Sequence, residues 1–333
     1  MMSAHDSSNC VPPSGRTAWS VTEAVIPKIQ YLINKDQQSL QRVAPMIFVA
    51  LWSTGFVVAR YATTDAGPLT FLCIRMFVAA GLLWLCAAAL RAPRMTPSDW
   101  SAASIVGVFM HAIYLGGVFV AIDNGLPSGL SALIAGLHPV ATSVAARVFL
   151  REQLSRKQIV GVFLGLIGVC TVVIEKLDTA DGGVNIAAMI AMMISIFGLS
   201  VGTLVQRALG KEMPLLRGTA TQYLASGVVL AVASGFSESW RFEITGNTLF
   251  SLSWAVIVLS LGAVLLMMTL LARHTAAKVS SLFFLTPALS TIEGAILFGE
   301  RLGVLALVGF GIAIFGVRMT MQPTNAAPEV STA

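Results

Sequence analysis

Ten apolar runs of about 20 residues follow one another between residues 44 and 320 of this 333-residue chain. A helix needs about 20 apolar residues to cross the roughly 30 Å hydrocarbon core of a bilayer. The chain is only 11% charged, whereas soluble domains carry about 25% charge. The sequence therefore predicts an all-α polytopic membrane protein with ten transmembrane helices. The runs cover 44–63, 69–90, 101–122, 127–149, 156–175, 184–207, 215–236, 248–271, 276–298 and 303–320.

The distribution of Lys and Arg indicates how the spans are oriented. With the N-terminus inside, 16 of the 21 basic residues fall on the inner side and four on the outer side, as expected for cytoplasmic loops. We therefore expect an inner (plasma) membrane protein with both termini cytoplasmic. Because the basic residues are scattered between apolar segments, the net charge of +5 does not indicate nucleic-acid binding. Residues 1–43 and 321–333 are predicted as tails, with an amphipathic helix around 19–33 as an alternative.

The two halves of the chain repeat each other. Residues 131–169 align without a gap with residues 279–317 at a constant shift of 148, and a weaker match at a shift of 147 pairs Arg75 with Gln222. Each half holds five spans, so the second enters the membrane from the opposite side. This predicts two inverted five-helix repeats, 44–176 and 184–320, an architecture typical of secondary transporters. The strongest pairs are Leu137 with Leu285, Pro139 with Pro287, Glu152 with Glu300, Gly161 with Gly309 and Gly168 with Gly316.

Three segments, 51–80, 136–154 and 285–302, resemble the EamA repeat of the drug/metabolite transporter superfamily. The resemblance implies ten spans, inverted repeats and efflux of small metabolites or toxic compounds in a proton- or gradient-coupled cycle. The chain departs from the family pattern at Met76, Arg151 and Glu293. The residues at the motif positions are Trp52, Pro68, Arg75, Pro139, Glu152, Pro287, Gly299, Glu300 and Leu302.

The chain contains no G-x-x-x-x-G-K-[ST] loop for ATP and no H-E-x-x-H pair for zinc, so we expect neither an enzyme nor a cofactor or metal. The leading hypothesis is a secondary active transporter that exports a small organic solute by alternating access, with the lipid bilayer as its surroundings and protons as a candidate coupling ion. An importer or exchanger of the same fold is an alternative. A channel, an integral membrane enzyme or a lipid-handling protein would belong to a different class.

Ionisable residues inside the spans are the first candidates for a site, because a charge at a helix centre costs at least about 2.5–3.5 kcal/mol. Glu293 is a candidate proton acceptor, or else an acid that holds the bundle together. Arg75 is a candidate for an anionic substrate group, with an ion pair or snorkelling to the interface as the alternatives. His111 and His138 are candidates that could equally be satisfied by a neighbour, and Pro139 could kink the span beside His138.

Polar and aromatic residues at mid-depth form a second group of candidates, since rings suit amphipathic substrates. Most such residues only pack. Glu152 and Glu300 are predicted to be structural, each accepting hydrogen bonds from the N–H groups of the helix that follows it. Pro139 and Pro287 belong to the same repeated motif. The second group of candidates is Trp52, Tyr114, Gln222, Tyr223 and Phe284.

Overall fold

The computed structural model describes residues 21–138, 140–142, 144, 155–177, 185–209, 213–273, 285–300 and 303–320. The chain divides into two units, Met1–Ala44 and Pro45–Ala333. The described part of the first unit is helical from Val21, the residue at which helix α1 begins. All side-chain contacts given below lie in the second unit.

The described residues are helical in the ten segments given below and again at 138, 140–142 and 144, in agreement with the all-α prediction. Six of them are long and apolar enough to cross a membrane. The segments are α1 (Val21–Asp65), α2 (Pro68–Ala89), α3 (Pro97–Asp123), α4 (Ser128–Ala135), α5 (Arg156–Leu177), α6 (Ile186–Leu209), α7 (Leu215–Ser237), α8 (246–273), α9 (Leu285–Phe298) and α10 (Val304–Thr320).

Local sequence explains where several helices begin. Proline is the first residue of both α2 and α3, a position where its missing N–H is not needed. Thr96 and Asp99 form a capping box at the start of α3, in which each side chain accepts a hydrogen bond from the backbone of the other. This cap makes α3 begin at Pro97, four residues before the predicted span.

Two helices contain a wider π-helical turn, in Val108–Ile113 of α3 and Trp254–Ala263 of α8. The shift of 148 between the repeats places residues 108–113 on 256–261, inside the second π segment. Both segments therefore occupy the third span of their repeat at matching positions. Such turns are rare in helices overall, but those that occur are frequently found at functional sites. The space between α3 and α8 is therefore a candidate position for the site.

Equivalent helices of the two repeats pack against each other in opposite directions. Thr70, near the start of α2, hydrogen-bonds Ser234 near the end of α7, whereas Phe77, further along α2, packs on Gly227. Residue numbers thus rise along α2 as they fall along α7. Inverted repeats related by a pseudo-twofold axis produce this antiparallel pairing.

The glycines of α5 and α10 repeat the pattern. A Cβ atom on Gly168 would clash with the backbone of Gly309 and Ala313, and one on Gly316 would clash with the backbone of Gly161 and Gly165. The contact of Gly168 with Gly309 is thus matched by that of Gly316 with Gly161, as a twofold exchange requires. The missing side chains at these glycines therefore allow α5 and α10 to pack closely.

Candidate functional site

A cavity lies inside the second unit, between helices of both repeats. Its empty volume is about 640 Å³, including the space at its mouth. Helices α1, α2 and α3 of the first repeat and α6 and α8 of the second contribute side chains. Four of the residues singled out from the sequence line it, namely Trp52, Arg75, His111 and Tyr114; most of the other lining residues are apolar, among them Phe56, Met110, Phe119, Leu199, Leu259 and Met267.

Arg75 is the charged residue among the described residues that line the cavity. It projects from α2 and is only 4% exposed, which does not fit the alternative of snorkelling to the interface. Its Nε donates a hydrogen bond to Ser260 Oγ at 3.0 Å. Ser260 lies in the π segment of α8, and its backbone carbonyl accepts a hydrogen bond from the Tyr223 hydroxyl at 3.1 Å. Arg75 is thus held by the opposite repeat.

His111 occupies the matching π segment of α3 and contacts α7. Its Nε2 lies 3.3 Å from Gln222 Oε1, and its ring meets the Tyr223 ring edge-on at a centroid distance of 4.7 Å. Because Gln222 Nε2 donates to Gln206 at 3.0 Å, the amide oxygen remains as acceptor and His111 Nε2 is the donor. Gln222 and Tyr223 therefore stand behind the cavity wall and orient residues that line it.

Close backbone packing brings these groups together. A Cβ atom on Gly107, at the start of the α3 π segment, would clash with the backbone of Gln222. The lack of a side chain at Gly107 therefore lets α7 approach α3 closely enough for Gln222 to reach His111. We call Arg75, His111, Gln222, Tyr223 and Ser260 the polar cluster.

Glu293 does not line the cavity. Its Oε1 lies 2.6 Å from Ser53 Oγ on α1, and Ser53 Oγ also lies 3.0 Å from the Ala50 carbonyl oxygen. Glu293 Oε2 is buried and has no hydrogen-bond partner within the described residues. The carboxyl group is therefore attached to α1 one residue after Trp52, which does line the cavity.

Other residues singled out from the sequence lie elsewhere. His138 Nε2 is 3.1 Å from Thr203 Oγ1 on α6, away from the cavity wall. Pro287 is buried in α9 and lines a smaller pocket with Gly136. Phe284, Pro139 and Glu152 lie outside the described residues.

Glu300 caps a helix, but not the helix that was predicted. Its carboxylate accepts hydrogen bonds from the backbone N–H groups of Ser128 and Gly129, at 2.9 and 3.1 Å, and so caps α4 of the first repeat instead of α10. It also lies 3.5 Å from Arg60 Nη1. The prediction of capping within the same repeat was wrong, because the inverted arrangement brings the end of α9 beside the start of α4.

One string in α6 matches a hydrolase pattern. Residues 198–202 read G-L-S-V-G, which fits G-x-S-x-G. In hydrolases that serine stands on a sharp turn between a strand and a helix, whereas Ser200 is buried in the middle of a continuous helix. Gly198 and Gly202 instead pack against α3, so this string does not supply an exposed nucleophile.

Both halves of the chain also match a known protein family. The profile of the EamA-like transporter family matches residues 43–174 and again residues 186–322. The chain belongs to the EamA-like transporter family. Membership makes it a multi-pass membrane transporter with a small-molecule substrate, and it confirms the resemblance stated from the motifs. The two matches also fit the ten-helix, two-repeat fold.

Relatives of this EamA-like transporter share about a quarter of its residues. It is 24% identical over 269 residues to the "Uncharacterized inner membrane transporter YedA" of Escherichia coli K12, covering 80% of this chain and 86% of the relative. It is 23% identical to a "Probable amino-acid metabolite efflux pump" of Salmonella typhimurium, with coverages of 82% and 94%. It is 25% identical to an "S-adenosylmethionine/S-adenosylhomocysteine transporter" of Chlamydia trachomatis, with coverages of 81% and 85%.

A solved crystal structure has the same fold as this EamA-like transporter. It superposes with a TM-score of 0.59 and covers 84% of this chain and 96% of its own, at 18% sequence identity. At that identity the likeness shows the fold alone.

The sequence did not single out Ser53 and Ser260, the hydrogen-bond partners of Glu293 and Arg75 in this EamA-like transporter. Ser53 and Ser260 are two of several hydroxyl residues in apolar spans, and serine is common in such helices because it packs closely. A usable signal was the repeat itself: Ser260 lies one position beyond Leu259, the counterpart of His111. The π segments that contain His111 and Ser260 have no recognisable sequence signature.

Proposed function

We propose that this chain is a secondary active transporter that exports a small organic solute across the inner membrane by alternating access, and that the cavity is its substrate site. The observation that carries the proposal is the cavity itself, which lies between inverted repeats and is lined by both. In transporters built from such repeats, the substrate site lies near the midplane at the repeat interface. An apolar cavity with a few polar groups is also the usual form of a small-molecule site.

Contacts between the repeats at one end of the bundle support alternating access. Thr245 Oγ1 donates to Asp65 at 2.6 Å, and Glu238 accepts hydrogen bonds from the backbone N–H groups of Leu69 and Thr70 at 2.8 Å. The excess of Lys and Arg at the other end of the spans supports assigning this end to the outer face. In the proposed cycle these contacts open toward the outside, while both termini stay in the cytoplasm.

Arg60 and Glu300 belong to the same end and have counterparts in the other half. The sequence repeat pairs Arg60 with Arg207 and Glu300 with Glu152. Under the proposal, the Arg60–Glu300 contact breaks as the outer side opens and its counterpart forms at the inner side. Two such states of similar energy are what inverted repeats supply.

The contact between Glu293 and Ser53 supports protons as the coupling ion. The Ser53 hydroxyl has one hydrogen but two acceptors within 3.0 Å, the Ala50 carbonyl and Glu293 Oε1. If Glu293 is protonated, it donates to Ser53 and Ser53 donates to Ala50. If Glu293 is ionised, Ser53 donates to Glu293 and the bond to Ala50 is lost. Proton release therefore changes the bonding of α1, the helix that places Trp52 in the cavity.

Counterflow in proteoliposomes tests the proposal. A strain that overproduces the protein is first screened for resistance to amino acids, their analogues and cationic drugs, which provides a solute to label. Preloading the vesicles with that unlabelled solute should accelerate uptake of the labelled solute, and uptake should saturate. Uptake without saturation or acceleration would indicate a channel, and conversion of the solute into a product would indicate an enzyme. Either result would overturn the proposal.

A further inference from the structure

Arg75 is a buried cation without a matching anion in the part of the chain that the structure describes. No carboxylate among those residues lies within 4.0 Å of its guanidinium. Its hydrogen-bond partner is the neutral hydroxyl of Ser260. Unlike lysine or histidine, arginine does not escape burial by losing its proton, because its guanidinium stays charged. The cavity wall therefore holds a lasting positive charge.

Such a charge is costly unless something neutralises it. Removing one partner of a buried ion pair strongly destabilises proteins, because the remaining charge is left uncompensated. A serine hydroxyl satisfies one N–H group but brings no negative charge. The cavity wall thus has an electrostatic requirement that an anion beside Arg75 would fulfil.

We propose that the cavity binds small molecules that carry one carboxylate beside an apolar body, with the carboxylate placed on Arg75. This inference rests on the proposed function, since it takes the cavity as the transport site. It narrows the substrate class to organic carboxylates and excludes cationic drugs.

The geometry at Arg75 favours a carboxylate among anions. Ser260 occupies Nε, and within the described residues the two terminal nitrogens have no hydrogen-bond partner. Two parallel N–H groups match the two oxygens of a carboxylate, which accept a pair of hydrogen bonds from arginine. Tyr114 adds a phenol to the same wall. One guanidinium balances one negative charge, whereas a dianion such as a phosphate monoester would leave a net buried charge.

The rest of the cavity determines the body of the ligand. Trp52, Phe56, Phe119, Leu259 and Met267 present aromatic and aliphatic surface. No acidic residue is among the described lining residues, so no carboxylate of the protein awaits an ammonium group. The ligand therefore carries its charge at one end and apolar carbon at the other.

Matched acid and amide pairs test this inference on the purified full-length protein. Binding is measured by isothermal titration for butyrate, 3-phenylpropionate and indole-3-acetate, each against its primary amide, and for phenylalanine and 2-phenylethylammonium. At least one acid should bind about 30-fold or more tightly than its amide, the size expected for a buried charge pair. Phenylalanine separates amino acids from simple monocarboxylates, since it should bind as well as 3-phenylpropionate only if amino acids are the natural source of the carboxylate.

Arg75→Gln introduces the residue that the second repeat carries at the equivalent position, Gln222. This variant should abolish the preference for the acid and leave binding of the amide within about twofold. Arg75→Lys keeps the charge but not the paired N–H groups, so it should retain part of the preference and serves if Arg75→Gln does not fold. Arg217→Gln is the matched control, because Arg217 lies over the Trp84 ring outside the cavity; it should leave the preference unchanged.

The outcomes separate this inference from the proposed function. Failure of every acid to bind, equal binding of acids and amides, tighter binding of 2-phenylethylammonium, or an acid preference that survives in Arg75→Gln would each overturn the inference. Counterflow of the amide at the same rate as the acid would also overturn the carboxylate inference, but it would still support the proposed transport function. An Arg75-dependent acid preference without any counterflow would uphold the carboxylate site and overturn the transport function.

Discussion

The two repeats are alike where they hold the bundle together and differ where they line the cavity. Gly161 and Gly168 of α5 have glycine counterparts in α10, and these pack on each other across the pseudo-twofold axis. Among the residues that line the cavity, Trp52 of the first repeat has the counterpart Leu199, and His111 has the counterpart Leu259. The first repeat supplies the aromatic and polar groups, and the second supplies aliphatic ones.

The polar cluster shows the same difference between the two repeats in individual hydrogen bonds. Arg75 crosses from α2 to Ser260 in the π segment of α8, and its counterpart Gln222 crosses from α7 toward His111 in the π segment of α3. The two contacts join equivalent helices with an offset of one residue, yet one carries a charge and the other does not. Symmetry thus serves the exchange of conformations, whereas departures from symmetry give the site its chemistry.

The largest expected effect comes from breaking a symmetric position. Gly316→Leu puts a side chain where the backbone of Gly165 and Gly161 already lies. Because α5 and α10 cannot stay in contact around it, we expect a loss of about 3 kcal/mol or more in the free energy of unfolding. The monodisperse yield and the thermal melting of the detergent-purified protein measure this loss.

Gly311→Leu provides the matched control on the same helix. A Cβ atom at Gly311 meets nothing within 4 Å, so leucine should change stability by less than about 0.5 kcal/mol. Equal losses in the two variants would mean that a side chain at any α10 glycine is harmful, and would contradict the specific α5–α10 contact.

The next effect concerns an asymmetric residue, Glu293, whose counterpart by sequence is Ala145. Glu293→Gln places an amide where the carboxyl group contacts Ser53. This amide cannot release a proton. We expect transport driven by a pH gradient to be abolished, while expression and melting temperature stay near normal. Uptake of the labelled solute into proteoliposomes, with and without the gradient, provides the measurement.

Glu243→Gln changes an exposed acid in the α7–α8 connection and should leave gradient-driven uptake unaltered. Normal gradient-driven uptake in Glu293→Gln would remove this residue from the coupling mechanism. A loss of folded protein instead of transport would favour the alternative that Glu293 holds the bundle together.

A smaller effect is expected at Glu300, which joins the end of α9 to the start of α4. Glu300→Ala leaves the backbone N–H groups of Ser128 and Gly129 without their acceptor. Losing such partners costs about 1–3 kcal/mol, so the folding yield should fall. Arg60→Ala removes the ion pair, which is 38% exposed on the arginine side, and the contact of the guanidinium with the Phe298 ring; each such exposed contact should cost no more than about 1 kcal/mol. Equal losses would assign Glu300 to the ion pair instead of the helix cap; thermal melting distinguishes the two.

Glu300 also illustrates how far the sequence could predict the structure. Apolar length predicted the spans, and the odd number of spans in each half predicted inversion, because both follow from the bilayer. That a carboxylate ending one helix would cap another was also predictable. Which helix it caps was not, because the answer depends on how the inverted halves pack, and the packing of α9 beside α4 is not encoded in any local pattern.

The candidate site divides in the same way. Depth within a span and residue type singled out Trp52, Arg75, His111 and Tyr114, which the structure places on one cavity wall. The same criteria singled out His138 and Glu293, which lie beside other helices. Depth gives no information about direction around the helix axis, and in α3 and α8 the π segments change that direction.

The smallest expected effect makes the two repeats alike at the cavity. Trp52→Leu gives α1 the residue that α6 carries at Leu199. An aromatic contact is worth about 0.5–1.5 kcal/mol beyond its area, so binding of the preferred acid should weaken about tenfold. Stability should fall by about 0.5–1.5 kcal/mol, because the Trp52 ring contact with Phe48 is lost. Isothermal titration with the acid that binds the unaltered protein most tightly gives the measurement.

Trp100→Leu is the matched control, because Trp100 stacks on Trp84 at the start of α3 and does not line the cavity. It should leave the affinity for the acid unchanged. If Trp52→Leu binds the acid as tightly as the unaltered protein, the aromatic ring takes no part in recognition. The asymmetry between the repeats would then consist of the charge at Arg75 and the proton at Glu293, and the apolar wall would serve only to exclude water from them.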